Sequence, residues 1–255
     1  MATISLCMIV KNESAVLARC LDSIADLMDE IIIVDTGSTD NTKEIAAQYT
    51  SRIYDFKWTS DFSAARNFSF SKATMEYIYT ADADEILDDA NRERFLRLKG
   101  ALLPEIEIVQ MKYVTQGTFD TVLNAKKEYR PKLFRRLRTF TWIDPIHETV
   151  RLTPVTFDSD VEILHCPQSL HSKRDFSIFI KAFEHDGQFS PKIRTMYAKE
   201  LLKTGDKKDF TDAKPIFQLI FDNDPADDAR KEAACVLARI YRMEDNKNEF
   251  FKLTM

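Results

Sequence analysis

The sequence predicts an α/β fold, a mostly parallel sheet with helices on both faces, followed by a wholly helical tail. Three observations predict it. Apolar runs of strand length alternate with helix-periodic segments from Ile4 to Ala81. Two of those runs end in aspartates, Asp35 and Asp82, where open parallel sheets bind ligands. From Ser172 onward the apolar spacing is helical throughout.

Ile4–Val10 is apolar on both sides, as a buried parallel strand requires. Ser14 stands as a helix cap before Val16, Leu17, Cys20, Leu21, Ile24, Leu27 and Met28, which share one helical face. Glu30–Asp35 is the second strand. Thr36-Gly37-Ser38-Thr39-Asp40 forms a loop with Asp40 as cap, and a helix runs to about Tyr49. Arg52–Phe56 is the third strand, Ala64–Ala73 the next helix and Tyr77–Ala81 the fourth strand. Sequence order sets that strand beside the one ending at Asp35. Ile106–Tyr113, Lys132–Leu137 and Val161–His165 are strands of a less regular, mixed region. Residues 1–171 thus form one domain and 172–255 a helical one. In the tail, Gly205-Asp206 precedes Phe210, Ala213, Phe217, Ile220 and Pro225, a spacing that fits the second helix of a tetratricopeptide-like unit. Lys207-Lys208-Asp209 reads as an insertion in the turn, and Ala233–Tyr241 begins a next unit that the chain does not complete.

The 255 residues are 44% hydrophobic and 30% charged, which is ordinary for a chain with a buried core. The net charge of −5 argues against a nucleic-acid coat protein. Cys7, Cys20, Cys166 and Cys235 form no CxxC pair and read as reduced thiols of a cytoplasmic protein. The first apolar run lacks the flanks of a signal peptide, and no stretch has the length to cross a bilayer.

Asp82-x-Asp84, on a turn at a strand end, can hold Mg²⁺ or Mn²⁺ bridging substrate phosphates; alternatively it is an acidic loop cap. Asp35 can accept from a base N–H or a ribose hydroxyl. His147-Glu148 reads either as a pair of candidate general bases or as a hydrogen-bonded structural histidine beside a surface charge. His165 reads equally as a third metal ligand and as a buried structural residue. His171 and His185 read as structural or surface residues. The basic run from Lys126 to Arg138 suits either a phosphate or a solvated strand face. Trp58 and Trp142 read as core.

Four motifs together resemble the family 2 glycosyltransferases: Met8-Ile9-Val10-Lys11-Asn12-Glu13, Asp29 through Thr42, Ala65-Arg66-Asn67, and Asp82-Ala83-Asp84-Glu85. The resemblance implies a GT-A fold, a nucleotide-sugar site, divalent metal dependence and inversion at the anomeric carbon. It implies that Asp35 binds the base, usually uracil, and that Arg66 lies at the nucleotide. Asp82 and Asp84 then serve ribose, metal and diphosphate, with Val10, Asn12, Glu13 and Gly37 in the nucleotide-binding set. One departure is Thr80-Ala81, where the family usually has a larger apolar residue; this reads as a packing change. Arg130-Pro131-Lys132-Leu133-Phe134-Arg135, Ile146-His147-Glu148 and Ile163-Leu164-His165 resemble the bacterial branch of lipopolysaccharide-core and tetratricopeptide-linked transferases.

The expected activity is therefore metal-dependent, inverting transfer of a sugar, most simply from UDP, to a glycan, lipid or peptide acceptor. The tail has three candidate uses: a homodimer contact, a cover for the acceptor, or a grip on a peptide substrate. Two rivals are a helical-repeat interaction protein with a degenerate transferase domain and a nucleotidyltransferase. Intact Asp35, Asp82 and Asp84 oppose the first. The lack of glycine in Met8–Glu13 opposes the second.

Overall fold

The computed structural model describes residues 1–115, 127–136, 142–150, 155–166 and 172–254. Lys126, Arg138 and His171 lie outside them. The chain divides into two compact units: Met1–Asp144 with Glu148–Ser169, and Pro145–His147 with Leu170–Met255.

The first unit contains β1 (Ile4–Val10), α1 (Leu17–Ile24), β2 (Glu30–Asp35), α2 (Thr42–Ala46), β3 (Ile53–Asp55), α3 (Phe62–Phe70) and β4 (Tyr77–Thr80). After these come β5 (Glu85–Ile86), α4 (Asp89–Ala101), β6 (Ile108–Thr115), β7 (Lys127–Arg135), β8 (Trp142–Ile143), β9 (Thr149–Val150) and β10 (Thr156–His165). Eight strands form one sheet in the order β3-β2-β1-β4-β7-β6-β10-β5, and β8 pairs with β9 separately. The first four strands are parallel, β7 runs antiparallel to both β4 and β6, and β10 is parallel to β6. The mixed half was expected. The order of the parallel half was not: β1 stands between β2 and β4, so the strands that lead to Asp35 and Asp82 are separated by one strand rather than adjacent.

Side chains of β1 alternate across the sheet, as the two-residue repeat of a strand demands. Ile4, Leu6, Met8 and Val10 enter a core closed by α1, α2 and α4; Cys7 joins Ile32, Val34, Phe70, Phe134 and Trp142 on the other face. Helices therefore cover both faces.

Ser14 does not cap α1. The helix starts at Leu17, and the Ser14 amide donates instead to Asp40 Oδ2 at 3.2 Å. Asp40 does serve the start of α2, taking the Thr42 amide on Oδ1 at 3.1 Å. Asp61 caps α3 by accepting from Ala64 N. The short β5 was not foreseen; it pairs antiparallel with the end of β10, setting His165 opposite Glu85.

The second unit is helical: α5 (Ser172–Asp186), α6 (Pro191–Thr204), α7 (Lys207–Asn223), α8 (Asp227–Met243) and α9 (Lys247–Thr254). Lys207-Lys208-Asp209 is not a turn insertion but the first turn of α7. Asp206 accepts from Asp209 N while the Asp209 carboxylate takes the Asp206 amide, a reciprocal cap that starts the helix there. A Cβ at Gly205 would stand 2.6 Å from Leu201 O, so the tight exit from α6 needs glycine. Ala213, Phe217 and Ile220 are buried as expected, with Tyr197 stacked 4.6 Å from Phe179 and tilted against Phe217 at 5.3 Å. Among the described residues no helix is long and apolar enough to cross a membrane.

Candidate active site

Val10 lies beside Asp35, and Cys7 beside Thr80, so β1, β2 and β4 end along one edge of the sheet. At that edge the loops after β1 and β2 are tied together. Asn12, in the left-handed region at φ 56°, donates its amide to Ser38 Oγ at 2.9 Å, and its Oδ1 accepts from Thr39 N at 2.7 Å. Glu13 N donates to Thr42 Oγ1, and Val10 O accepts from Thr36 N. Asn12 and Glu13 are thus anchored in the loop frame itself.

Asp35 is 1% exposed. Its Oδ1 accepts from the amides of Gly37 and Ser38, both at 2.9 Å, a turn that Gly37 completes at φ 104°. Its Oδ2 is buried and has no partner. A buried carboxylate oxygen left unpaired costs free energy, which an incoming N–H donor recovers.

The second half of the site carries Asp82 and Asp84 on the turn after β4 and Glu85 at the start of β5. Glu85 is 2% exposed and accepts from Lys132 Nζ, itself buried, at 2.6 and 2.7 Å. Burial pushes the Glu85 carboxyl up, and neighbouring Asp82 and Asp84 add to this against the pull of Lys132. Asp84 Oδ2 lies 3.0 Å from His165 Nε2, and Asp84 O accepts from Cys166 N. The His165 ring packs 5.0 Å from Tyr113, over which Arg130 sits at 3.7 Å, and its Nδ1 is buried without a partner. Asp82 Oδ1 lies 3.6 Å from Arg66 Nη2. Partial desolvation works to raise the Asp82 carboxyl, but Arg66, Lys132, Arg130 and His165 outweigh it and lower it.

Arg66 donates through Nε and Nη2 to Glu148 Oε1 and through Nη1 to Thr80 Oγ1 at 2.5 Å. Burial works against its charge, yet Glu148 and Asp82 override that and raise its pKa. Thr80 is therefore more than a packing change: its hydroxyl is an acceptor that a larger apolar residue would lack.

The structure thus brings Asp82, Arg66 and Glu148 together, and Asp84 with His165. His147, left-handed at φ 48°, belongs to the helical unit, where its ring lies 6.1 Å from Phe179 and its carbonyl accepts from Lys192 Nζ. Among the described residues no three His, Cys, Asp or Glu side chains are grouped to hold a metal ion. The described part of the basic run is partly exposed, with Lys127 and Arg136 at the surface and Lys132 buried, and its cations have protein partners. Lys127 pairs with Glu162, Arg130 with Glu128, Lys132 with Glu85, and Arg136 bonds Met75 O. Trp142 is core, as expected, and also covers the Arg66 guanidinium at 4.6 Å. Trp58 is half-buried against Phe62. Sequence reasoning missed Lys132 and Glu85; the signal was a lysine set between Pro131 and the apolar Leu133-Phe134, unlike its exposed neighbours in the run.

The Glycosyl transferase family 2 profile matches residues 5–153. A TPR repeat-containing protein of Synechococcus elongatus is 48% identical over 87 residues, covering 34% of this chain and 22% of that protein. The SPbeta prophage-derived glycosyltransferase SunS of Bacillus subtilis is 33% identical over 132 residues, covering 50% of this chain and 31% of the other. The chain thus spans less than a third of the length of either relative. The crystal structure of S. aureus TarS superposes with a TM-score of 0.51 at 11% identity, covering 98% of this chain and 54% of that one, a likeness of fold. The first unit has the mixed α/β architecture of a GT-A fold. With more than half of its length inside the matched region, the chain belongs to glycosyl transferase family 2.

Proposed function

We propose that the protein transfers a sugar, with inversion, from a nucleoside diphosphate sugar to a glycan, lipid or peptide acceptor. The observation that carries this reading is the unpartnered, buried Oδ2 of Asp35 at the ligand-binding edge of the sheet. An acceptor so placed suits the imide N–H of uracil, which makes UDP the fitting nucleotide. Val10, Asn12, Glu13 and Gly37 shape the loops around it.

Asp84 and His165 would hold a cation whose other ligands come largely from substrate, with Asp82 on the same turn facing Arg66. Mg²⁺ and Mn²⁺ at phosphates need only one or two protein carboxylates, and the Asp84–His165 pair joins a hard oxygen to a borderline nitrogen. When bound, the cation would neutralise charge on the departing diphosphate. Glu148 is the base of choice, because Arg66 ties it to Asp82. In the helical unit, α6–α7 and α8–α9 read as successive tetratricopeptide-like pairs, supported by the buried Ala213-x3-Phe217 spacing and by Pro225 just past α7.

The test is a thermal-shift panel of nucleotide sugars with and without Mn²⁺, followed by product analysis. A ligand that binds only the native state raises its apparent stability. Stabilisation by UDP-sugars and release of free UDP are expected, with turnover abolished by Asp84→Asn and, reversibly, by a chelator. Release of pyrophosphate instead would sink the reading. Hydrolysis that survives both the chelator and Asp84→Asn would remove the metal from it.

A further inference from the structure

We propose that Lys132 and Glu85 are positioning residues, which set the turn carrying Asp82 and Asp84 and which meet because of a bulge in β7. The proposal rests on the sugar-transfer reading above. It starts from strand register. Val109 of β6 lies opposite Leu133, and the next residue, Gln110, lies opposite Pro131, so Lys132 is an extra residue with no partner on β6. Strand β7 has neighbours on both sides, β4 and β6. Proline cannot donate to a ladder, and inside a central strand it is accommodated at a bulge. Arg130 and Leu133 would point to opposite faces of a regular strand. Here they lie opposite Met111 and Val109, which share one face of the sheet. In unbroken register Lys132 would stand opposite Gln110, on the face away from Tyr113. Instead Arg130 lies 3.7 Å over the Tyr113 ring, and Lys132 Nζ stands 5.8 Å from it. Bulges beside a site re-aim side chains in this way.

The re-aimed lysine is 5% exposed, and both oxygens of Glu85 accept from its Nζ, at 2.6 and 2.7 Å. So enclosed, the ammonium acts on Glu85 and not on a phosphate. Glu85 in turn closes the loop after β4 from both ends. Its amide donates to Asp82 O at 3.1 Å, and its Oε2 accepts from Asp82 N at 3.3 Å. Cys20 Sγ, from α1, donates to the same Asp82 carbonyl at 3.5 Å, and Asp84 O accepts from Cys166 N at 3.0 Å. The backbone is thus held at both aspartates. The link from this turn to the middle of the sheet is the one carboxylate that Lys132 orients. Groups that orient a metal ligand shape its affinity for the metal without touching it.

The experiment compares wild type, Lys132→Met with Glu85→Gln, and Glu85→Asp, on the whole chain, at a temperature where urea titration shows each to be folded. The double variant removes both charges together, so no buried ion is left alone, but the group at position 85 loses the partner that orients it. Glu85→Asp keeps the ion pair and draws its oxygens back from the Asp82 amide by one methylene. Mn²⁺ affinity in the presence of UDP is read from the electron paramagnetic resonance signal of free Mn²⁺, and turnover from hydrolysis of a UDP-sugar. Both variants should bind Mn²⁺ about 10- to 100-fold more weakly, with kcat lowered by a similar factor. UDP affinity without metal should be unchanged, because Asp35 belongs to β2, on the far side of β1 from β4. Wild-type Mn²⁺ affinity and turnover in either folded variant would overturn the proposal, since the pair would then serve stability alone. Loss of metal-free UDP affinity in the folded variants would overturn it too, by showing a disturbance not confined to the turn. If the double variant does not fold, Glu85→Asp decides the matter alone. A wild-type chain that binds neither UDP nor Mn²⁺ and hydrolyses no nucleotide sugar would instead overturn the reading beneath the proposal, and the proposal with it.

Discussion

At the Asp35 end of the site, the polar contacts are close in sequence and made largely by backbone amides. Asp35 takes the amides two and three residues ahead of it, and the ties between the loops after β1 and β2 link residues 26 and 27 positions apart. At the Asp82–Glu85 end, the contacts are between side chains 47, 81 and 82 positions apart, and those of Lys132 with Glu85 and Arg66 with Glu148 are ion pairs. The two ends should therefore fail differently. Loss of one side chain at the first leaves a frame of peptide groups standing. Loss of one partner at the second leaves a buried charge without its counter-ion, which costs more than the pair itself contributes.

Lys132→Met should show this most strongly. It keeps the stem but leaves Glu85, 2% exposed, facing Asp82 and Asp84 with no ammonium. Unfolding in urea should show a loss of about 3–5 kcal/mol at neutral pH. The sign of its pH dependence follows from the direction of the Glu85 shift. A carboxyl whose folded pKa lies above its ordinary 4.5 binds more protons folded than unfolded, so stability falls as pH rises from that value toward the folded one. The gap between wild type and Lys132→Met should narrow toward pH 4, where Glu85 takes a proton. Lys132→Met with Glu85→Gln should recover most of the loss. A double variant no better than the single would mean that packing, and not charge, governs this end.

Asp35→Asn should behave in the opposite way. The amide keeps an acceptor for Gly37 and Ser38 and replaces the unpartnered oxygen by a donor, so melting should hold or rise slightly. UDP affinity should fall about 10- to 150-fold, the equivalent of a hydrogen bond to a charged group, about 1.5–3 kcal/mol. A destabilised variant with intact UDP affinity would reverse the comparison, making Asp35 a strut of the loop and not a ligand.

The same contrast explains what was legible in the sequence. Strands β1, β2 and β4 and the aspartates at their ends follow from short apolar runs, because each is specified by its own residues. Asp40 could be placed as a helix-start residue because its partner Thr42 is two positions away. Ser14 was misassigned because its amide, and not its hydroxyl, is what the fold uses. Lys132 and Glu85, and Arg66 and Glu148, meet only because β7 pairs beside β4 and the hairpin of β8 and β9 docks on α3. No local pattern encodes those meetings, so a charge run read along the chain could not show which lysine is buried. The position of β1 between β2 and β4 was hidden for the same reason: it depends on crossover order.

The smallest expected effect tests whether the Asp35 end is as indifferent to charge as the comparison claims. Asp40 is the ionised strut there, taking the Ser14 amide on one oxygen and the Thr42 amide and hydroxyl on the other. Partial desolvation works to raise its pKa, but these hydrogen bonds outweigh it and hold the carboxyl at about 2, below its ordinary 3.8. Between those values the folded chain binds fewer protons than the unfolded one. The stabilisation is therefore complete above about pH 4 and lost as pH falls toward 2. Asp40→Asn lacks that titration and keeps only one oxygen for two sets of donors. Its deficit should be constant from pH 7 to 5 and close between pH 4 and 2. Because the carboxylate is half-exposed, the deficit should stay under about 1 kcal/mol and shrink in high salt. Melting curves of the two proteins across that range decide it. A deficit as large as that of Lys132→Met would mean that this end, too, hangs on a charge, and that the contrast between the two ends is one of sequence distance alone.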